Sequence, residues 1–146
     1  NRGIIYKNKG DFDRAISDCN KAIELNPKNA NSYYIRGAAY ECKGDLEQTL
    51  SDYSKAIELN PGYTDAYNNR GIIYKNKGDF DRAISDYNKA IELNPKDALV
   101  YYNRGIAHQR NGNIDRAISD YNKAIELNPK YADARRNLEA INGKSK

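Results

Sequence analysis

The sequence predicts an all-α solenoid, built from antiparallel helix-turn-helix units of 34 residues stacked one on the next. Three observations carry that expectation. The first is a fixed period: Pro27, Pro61, Pro95 and Pro129 stand 34 residues apart, and Gly10, Gly44, Gly78 and Gly112 keep the same step. So do the Arg-Gly pairs that begin at Arg2, Arg36, Arg70 and Arg104, and residues 1–28 differ from 69–96 only in having Cys19 where the later copy has Tyr87. The second is the recurrence of apolar residues at steps of three and four inside each copy, which is the spacing of one helical face. The third is that a lone helix hairpin leaves an apolar face uncovered, so neighbouring copies must cover it.

Residues 64–97 illustrate each element. Thr64 or Asp65 can cap a first helix, because a short side-chain oxygen satisfies orphan backbone donors. That helix is predicted to run to about Asn76, with Tyr67, Gly71 and Tyr74 on one face. Lys77-Gly78 stops it, with a cation at the negative helix end and a glycine free to turn left-handed. Asp79 caps the second helix, predicted from about Phe80 to Leu93, and Asp81 adds negative charge to its first turn. Phe80, Ala83, Ile84, Tyr87, Ala90 and Ile91 form its apolar face. Arg82 and Asp86 lie four apart on the other side and are expected to pair. Asn94-Pro95 ends the helix, since proline disfavours helical backbone before it and has no N–H to give. Gly71 and Ala83 remove side chains where the two helices cross.

Only 39% of the 146 residues are hydrophobic, so Ala and Tyr must supply much of the stacking surface. With thirteen Tyr, two Phe and no Trp, the core hydroxyls need partners or a place at a wet helix edge. A net charge of +4, from 24 basic and 20 acidic residues interspersed along the chain, argues against a nucleic-acid or membrane surface. No apolar run approaches the ~20 residues of a membrane helix. No signal-peptide pattern is present either, and a cytoplasmic location is expected. Cys19 and Cys42 make no disulfide framework. Met is absent and residue 1 falls in mid-repeat, so a piece of a longer protein, or a proteolysed or engineered one, is expected.

The repeated phrase has a recognisable form. It reads Tyr33-Gly37-Tyr40, Thr49-Tyr53-Ala56 and Pro61, then Tyr67-Gly71-Tyr74, Ala83-Tyr87-Ala90 and Pro95, then Tyr101-Gly105-His108, Ala117-Tyr121-Ala124 and Pro129. The first copy enters late, with Gly3-Tyr6, Ala15-Cys19-Ala22 and Pro27. Over the whole chain this phrase resembles the tetratricopeptide repeat. Tyr stands where that family usually has Trp, and Arg precedes Gly where Leu is usual; neither change disturbs the fold expectation. The resemblance implies one array over 1–146 that follows a right-handed superhelix. Its parts are a truncated repeat at 1–29, repeats at 30–63, 64–97 and 98–131, and a C-terminal capping helix with a frayed tail at 132–146. In that last helix Arg135 and Arg136 stand where Tyr is usual and Glu139 replaces Gly, as suits a polar terminal cap. It is expected to end at Asn142-Gly143, with Lys144-Ser145-Lys146 fraying. The front has no matching cap, and a weak, partly open N-terminal end is expected.

The copies differ most along one stripe of the first helices. It reads Asn31, Tyr34, Ala38 and Glu41 with Cys42; Asp65, Asn68, Ile72 and Lys75 with Asn76; and Leu99, Tyr102, Ile106 and Gln109 with Arg110. By the resemblance, this stripe lines a concave groove in which the family usually holds peptides. Drift on a solvated face is the alternative. Beside it runs a column of Asn1, Ile35, Asn69, Asn103 and Asn137. Asn offers donors and an acceptor together, enough to grip a peptide backbone, and the resemblance extends to members that use such a ladder. The alternative is that these amides bond neighbouring helices. Adaptor-type members clamp acidic C-termini with Lys and Asn from successive first helices. Asn68, Ile72, Tyr34, Ala38, Leu99 and Asp133 occupy those places here, so that clamp is not carried over. Groove charges are mixed, with Lys7, Lys75, Arg110 and Arg136 against Glu41, Asp65 and Asp133.

The Arg2, Arg36, Arg70 and Arg104 column recurs together with Asp18, Asp52, Asp86 and Asp120, which fits ion pairs between neighbouring helices better than a phosphate surface. His108 is the only histidine and takes the place of Tyr6, Tyr40 and Tyr74, so it reads as a packing residue rather than a base. Ser17, Ser51, Ser85 and Ser119 have no histidine to activate them, and no cysteine has a partner at metal-ligand spacing. No catalytic residue, metal or cofactor is expected. The expected function is a non-enzymatic scaffold that binds a peptide or partner segment through Tyr34, Asn68, Asn69, Ile72, Lys75, Tyr102, Asn103, Ile106 and Arg110. Asn would hold backbone, Tyr and Ile would take apolar side chains, and Lys75 and Arg110 would take an acid. The alternative is a structural spacer or an array that associates head to tail.

Overall fold

The computed structural model describes residues 9–144, and among them it holds eight α-helices and no strand. These are α1 (Lys9–Leu25), α2 (Ala30–Lys43), α3 (Leu46–Leu59), α4 (Thr64–Asn76), α5 (Phe80–Leu93), α6 (Ala98–Arg110), α7 (Ile114–Leu127) and α8 (Ala132–Lys144). The fold is an all-α helical repeat. Two compact units divide the chain, Asn1–Ala66 and Tyr67–Lys146, with the division falling inside α4. The expected weak N-terminal end lies outside the described residues, as does the expected fraying of Ser145 and Lys146.

Hairpin turns follow the glycine and aspartate signals. Gly78 takes a φ of 80°, a left-handed conformation that costs a residue with a Cβ about 1 kcal/mol or more. Its N–H donates to the Lys75 carbonyl at 3.1 Å, and the Asp79 N–H donates to the Tyr74 carbonyl at 2.9 Å. The Asp79 side chain then accepts from the Arg82 N–H at 3.2 Å and starts α5. The turns between copies use Asn-Pro. Asn60, Asn94 and Asn128 leave the helix near φ −140°, the extended backbone that a following proline favours. Their side-chain oxygens accept from the N–H two residues on, at 3.1, 3.3 and 3.1 Å, and so close an Asx turn around each proline.

Some boundaries depart from expectation. Asn29 and Asp97 cap α2 and α6, but the matching residue before α4 is Tyr63, and Thr64 and Asp65 are already the first residues of that helix. Among the described residues α1 runs from Lys9 and takes in Gly10, where other copies turn. In α8, the helix continues through Gly143, which keeps right-handed backbone, instead of stopping at Asn142-Gly143.

Each of the three hairpins between α2 and α7 closes on a buried tyrosine and an ion pair. Tyr53, Tyr87 and Tyr121 have no exposed surface, and Ala56, Ala83, Ala90, Ala117 and Ala124 are equally buried. The Tyr121 ring lies so close to α6 that a Cβ on Gly105 would stand 2.7 Å from its Cε1 atom. Arg104 grips Asp120 with two bonds, Nε to Oδ2 at 2.9 Å and Nη2 to Oδ1 at 2.6 Å. Arg70 holds Asp86 and Arg36 holds Asp52 in the same way. The described part of the Arg column is therefore scaffold. The expected Arg82–Asp86 pair does not form. Asp86 is buried at 5% exposure and belongs to Arg70, whereas Arg82 reaches back to the Asp79 cap and lies over the Tyr74 ring, 4.5 Å from its centroid.

His108 is 5% exposed, and its Nε2 lies 4.0 Å from the Asp120 carboxylate. Burial holds its pKa below the ordinary 6.5; Asp120 opposes the shift, and the Arg104 and Arg116 charges add to it. A base with a depressed folded pKa is neutral in the fold and gains its proton on unfolding. Stability is thus full above the unfolded pKa and falls as pH drops from 6.5 toward the folded value. His108→Tyr, which restores the residue of the other copies, is expected to flatten the pH dependence of the urea midpoint in that window.

Candidate peptide-binding face

Within the unit Tyr67–Lys146, the stripe residues of α4 and α6 come together. The Asn103 amide donates to the Asn68 Oδ1 at 3.3 Å, tying the two first helices side by side. Asn103 is buried at 5% exposure, while Asn68, Asn69, Ile72, Lys75, Tyr102 and Ile106 are half-buried and Arg110 is exposed. Ile72 packs on the cluster of Ala83, Tyr87, Ala90, Val100 and Ala107. Ile106 and Tyr102 pack on the next cluster, around Tyr121 and Ala124. One edge of each isoleucine is anchored in the core and the other stays open.

Tyr102 belongs to an aromatic trio, its centroid 5.9 Å from that of Tyr121 and 5.0 Å from that of Tyr131. The Tyr121 hydroxyl donates to Gln109 at 2.6 Å and accepts from Asn137 at 3.4 Å. Burial pushes the Tyr121 and Tyr131 hydroxyls up to about 12, so both stay protonated donors at neutral pH. Burial, then the Asp133 carboxylate, also raises the Tyr102 hydroxyl above its usual value. Lys75 moves the other way: burial, then the Arg110 charge, lowers its pKa.

The unit Asn1–Ala66 repeats the trio. Tyr34 lies 5.6 Å from Tyr53 and 4.8 Å from Tyr63, and the Tyr53 hydroxyl donates to Glu41 at 2.6 Å. Tyr63 donates to Asn31 at 2.9 Å. Tyr34 is 8% exposed, so it presents far less surface than Tyr102. The sequence reading missed Tyr63 and Tyr131. Both sit just before a first helix, where other copies carry the caps Asn29 and Asp97, and that exchange of a cap for an aromatic was the available signal.

The repeat geometry has a counterpart in known proteins. The pattern of the tetratricopeptide repeat matches residues 1–29, 30–63, 64–97 and 98–131. The chain belongs to the tetratricopeptide repeat family. No curated protein matches it in sequence. Among solved tetratricopeptide structures, the MamA protein is 32% identical with a TM-score of 0.76, over 85% of this chain and 68% of MamA. The first repeat domain of Spaghetti (RPAP3), solved with the HSP90 peptide SRMEEVD, is 27% identical with a TM-score of 0.76, over 79% of this chain and 91% of that one. The first such domain of human RPAP3 is also 27% identical, with a TM-score of 0.74, over 80% and 92%. Tetratricopeptide repeats generally mediate protein–protein interaction and are generally not enzymes. Among the described residues of this member, no helix is long and apolar enough to cross a membrane, and no cluster of His, Cys, Asp and Glu could hold a metal ion.

Proposed function

We propose that this tetratricopeptide array is an interaction scaffold that holds an extended segment of a partner protein along the α4 and α6 stripe. One observation carries the reading. On helices whose other faces hardly change between copies, Asn68, Ile72 and Lys75 stand beside Tyr102, Ile106 and Arg110, as an amide, apolar edges, a ring and two cations. That mixture suits a backbone, apolar side chains and an acid in one line. The solved complex of a 27% identical relative with a peptide supports the same use of the fold.

Roles follow from exposure. Asn103 accepts little from solvent and acts by positioning: its bond to the Asn68 oxygen turns the Asn68 NH2 the other way, toward a ligand carbonyl. Asn69 extends the amide row, and Tyr34 supports the equivalent face of the unit Asn1–Ala66 from within its core.

The test is a pulldown from a random peptide library, followed by affinity measurement on a selected peptide. Tyr102→Ala is expected to weaken that peptide by about tenfold or more, as for a central aromatic contact. Asn68→Ala should also weaken it, while the helical circular dichroism of both variants is retained. Unchanged affinity in both would refute the assigned face. A chain that selects no peptide and sediments as a concentration-dependent multimer would instead favour head-to-tail association, for which the exposed Leu25 (88%) and Leu99 (44%) offer apolar surface.

A further inference from the structure

The copy at 98–131 exchanges the two residues that hold an arginine in the copy before it. In residues 64–97, Arg82 bonds the Asp79 carboxylate and lies over the Tyr74 ring, 4.5 Å from its centroid. The same three places carry Arg116, Asn113 and His108 in the next copy. Asn113 makes no side-chain cap bond, and Arg116 has no carboxylate partner among the described residues. Arg116 thus keeps its charge and loses the acid that neutralises Arg82.

An imidazole also fills less space than a phenol, and beside His108 lies a cavity of about 260 Å³. Arg104 lines it from α6, Arg116, Ser119 and Asp120 from α7, and Asn88 from α5. Neither nitrogen of His108 is bonded among the described residues: Nδ1 is buried without a partner, and Nε2 lies 4.0 Å from Asp120, too far for a hydrogen bond. Asn88 gives its oxygen to Arg104 Nη1 at 2.8 Å, which leaves its NH2 to donate elsewhere. Asp120 is the carboxylate of the cavity, and Arg104 holds both its oxygens. One cation, an amide, a hydroxyl and an unbonded imidazole therefore remain around one space. Arg116 and Ser119 are exposed, so a solute can reach it.

From this arrangement we infer that the cavity is a subsite for a phosphate group, held by Arg116 with the Ser119 hydroxyl, the Asn88 amide and His108. A tetrahedral dianion presents acceptors on every side, which suits donors arriving from three helices, and a guanidinium matches its oxygens. The subsite stands apart from the peptide-binding face, because none of its residues belongs to the stripe. Its charge also couples to His108. Burial holds the His108 pKa low, Asp120 opposes that, and the Arg104 and Arg116 charges add to it. A dianion beside Arg116 offsets those two charges, so the bound state takes up the imidazole proton more readily.

The probe is inorganic phosphate, titrated into the whole chain carrying isotope-labelled histidine and arginine, with sodium chloride at matched ionic strength as the control. His108 is the only histidine, so its ring signals need no assignment. Phosphate is expected to shift the His108 and Arg116 side-chain signals saturably and to move the His108 titration midpoint upward, and chloride to do neither. Arg116→Gln should weaken phosphate by about tenfold or more, the loss of a bond to a charged group. Asn113→Asp should weaken it as well, by returning to Arg116 the internal carboxylate that Arg82 has, while the thermal midpoint stays at or above that of wild type. His108→Tyr should close the cavity and abolish binding. Lys96→Gln, an exposed lysine outside the cavity, should change nothing. Methyl phosphate separates the sources: binding as tight as that of the free ion assigns the subsite to a phosphate ester, and binding of the free ion alone assigns it to inorganic phosphate. Shifts that do not saturate, or equal phosphate affinity in wild type, Arg116→Gln and Asn113→Asp, would overturn the subsite.

Discussion

Tyr121→Ala is expected to destabilise the protein by about 3–5 kcal/mol, the loss typical of a large buried aromatic cut to a methyl. The ring has no exposed surface, fills the space against Gly105, and stacks with Tyr102. No neighbour can collapse into the void easily, because α6 and α7 are already held at a fixed spacing by the Arg104–Asp120 bonds. Tyr121→Phe separates the two contributions. It keeps the ring and removes only the hydroxyl that joins Gln109 to Asn137, so about 1 kcal/mol should go. Urea unfolding followed by circular dichroism measures both. A loss for the alanine variant no greater than for the phenylalanine one would contradict the assignment of the ring as the keystone of this hairpin.

Arg104→Ala should cost about 3 kcal/mol, for a different reason. The arginine stem is partly exposed, but Asp120 is 4% exposed and would be left with its charge buried and unpaired. The larger part of the cost is thus the stranded carboxylate rather than the lost attraction. Two further variants check this. Arg104→Lys, with a single ammonium in place of a two-pronged guanidinium, should recover only part of the stability. The double change Arg104→Ala with Asp120→Ala should be less damaging than the single Arg104→Ala, since it removes the orphan. An additive double mutant would mean that the pair contributes little and that Arg104 acts through its stem and its stacking on Tyr101.

Much of the fold is legible because its signals are local. A left-handed glycine, an aspartate cap and an Asn-Pro step each act within four residues, and α5 runs from Phe80 to Leu93 as those signals predict. The pairing of charges is less local. Arg82 and Asp86 have the right spacing for a pair, yet the burial of Asp86 beneath Arg70 decides its partner, and burial depends on a helix sixteen residues away. The candidate face shows the same limit. Comparing copies isolates Asn68, Lys75, Tyr102 and Arg110, because those positions vary where the scaffold does not. That Asn103 would spend its amide on Asn68, or that Tyr131 would close over Tyr102, depends on how one hairpin docks on the next. The Tyr87 hydroxyl has no acceptor among the described residues, and that is legible only afterwards, once the bonds of Tyr53 to Glu41 and of Tyr121 to Gln109 show what position 75 is expected to provide.

Among the described residues the bidentate ion pairs run from a residue to the one sixteen ahead of it, inside a single hairpin: Arg36 to Asp52, Arg70 to Asp86, and Arg104 to Asp120. A recombination event that removes or duplicates one whole copy therefore carries both ends of each pair with it. No buried carboxylate is orphaned at the seam, only the exposed Asp13 that Lys43 of the next copy holds, and the tyrosine that closes the hairpin travels with its own glycine. Copy number can change without stranding a buried charge, whereas a breakpoint placed between the arginine and the aspartate would join mismatched halves. The charge layout makes this chain a lineage that can lengthen or shorten by whole repeats, leaving the stripe positions as the ones free to diverge afterwards.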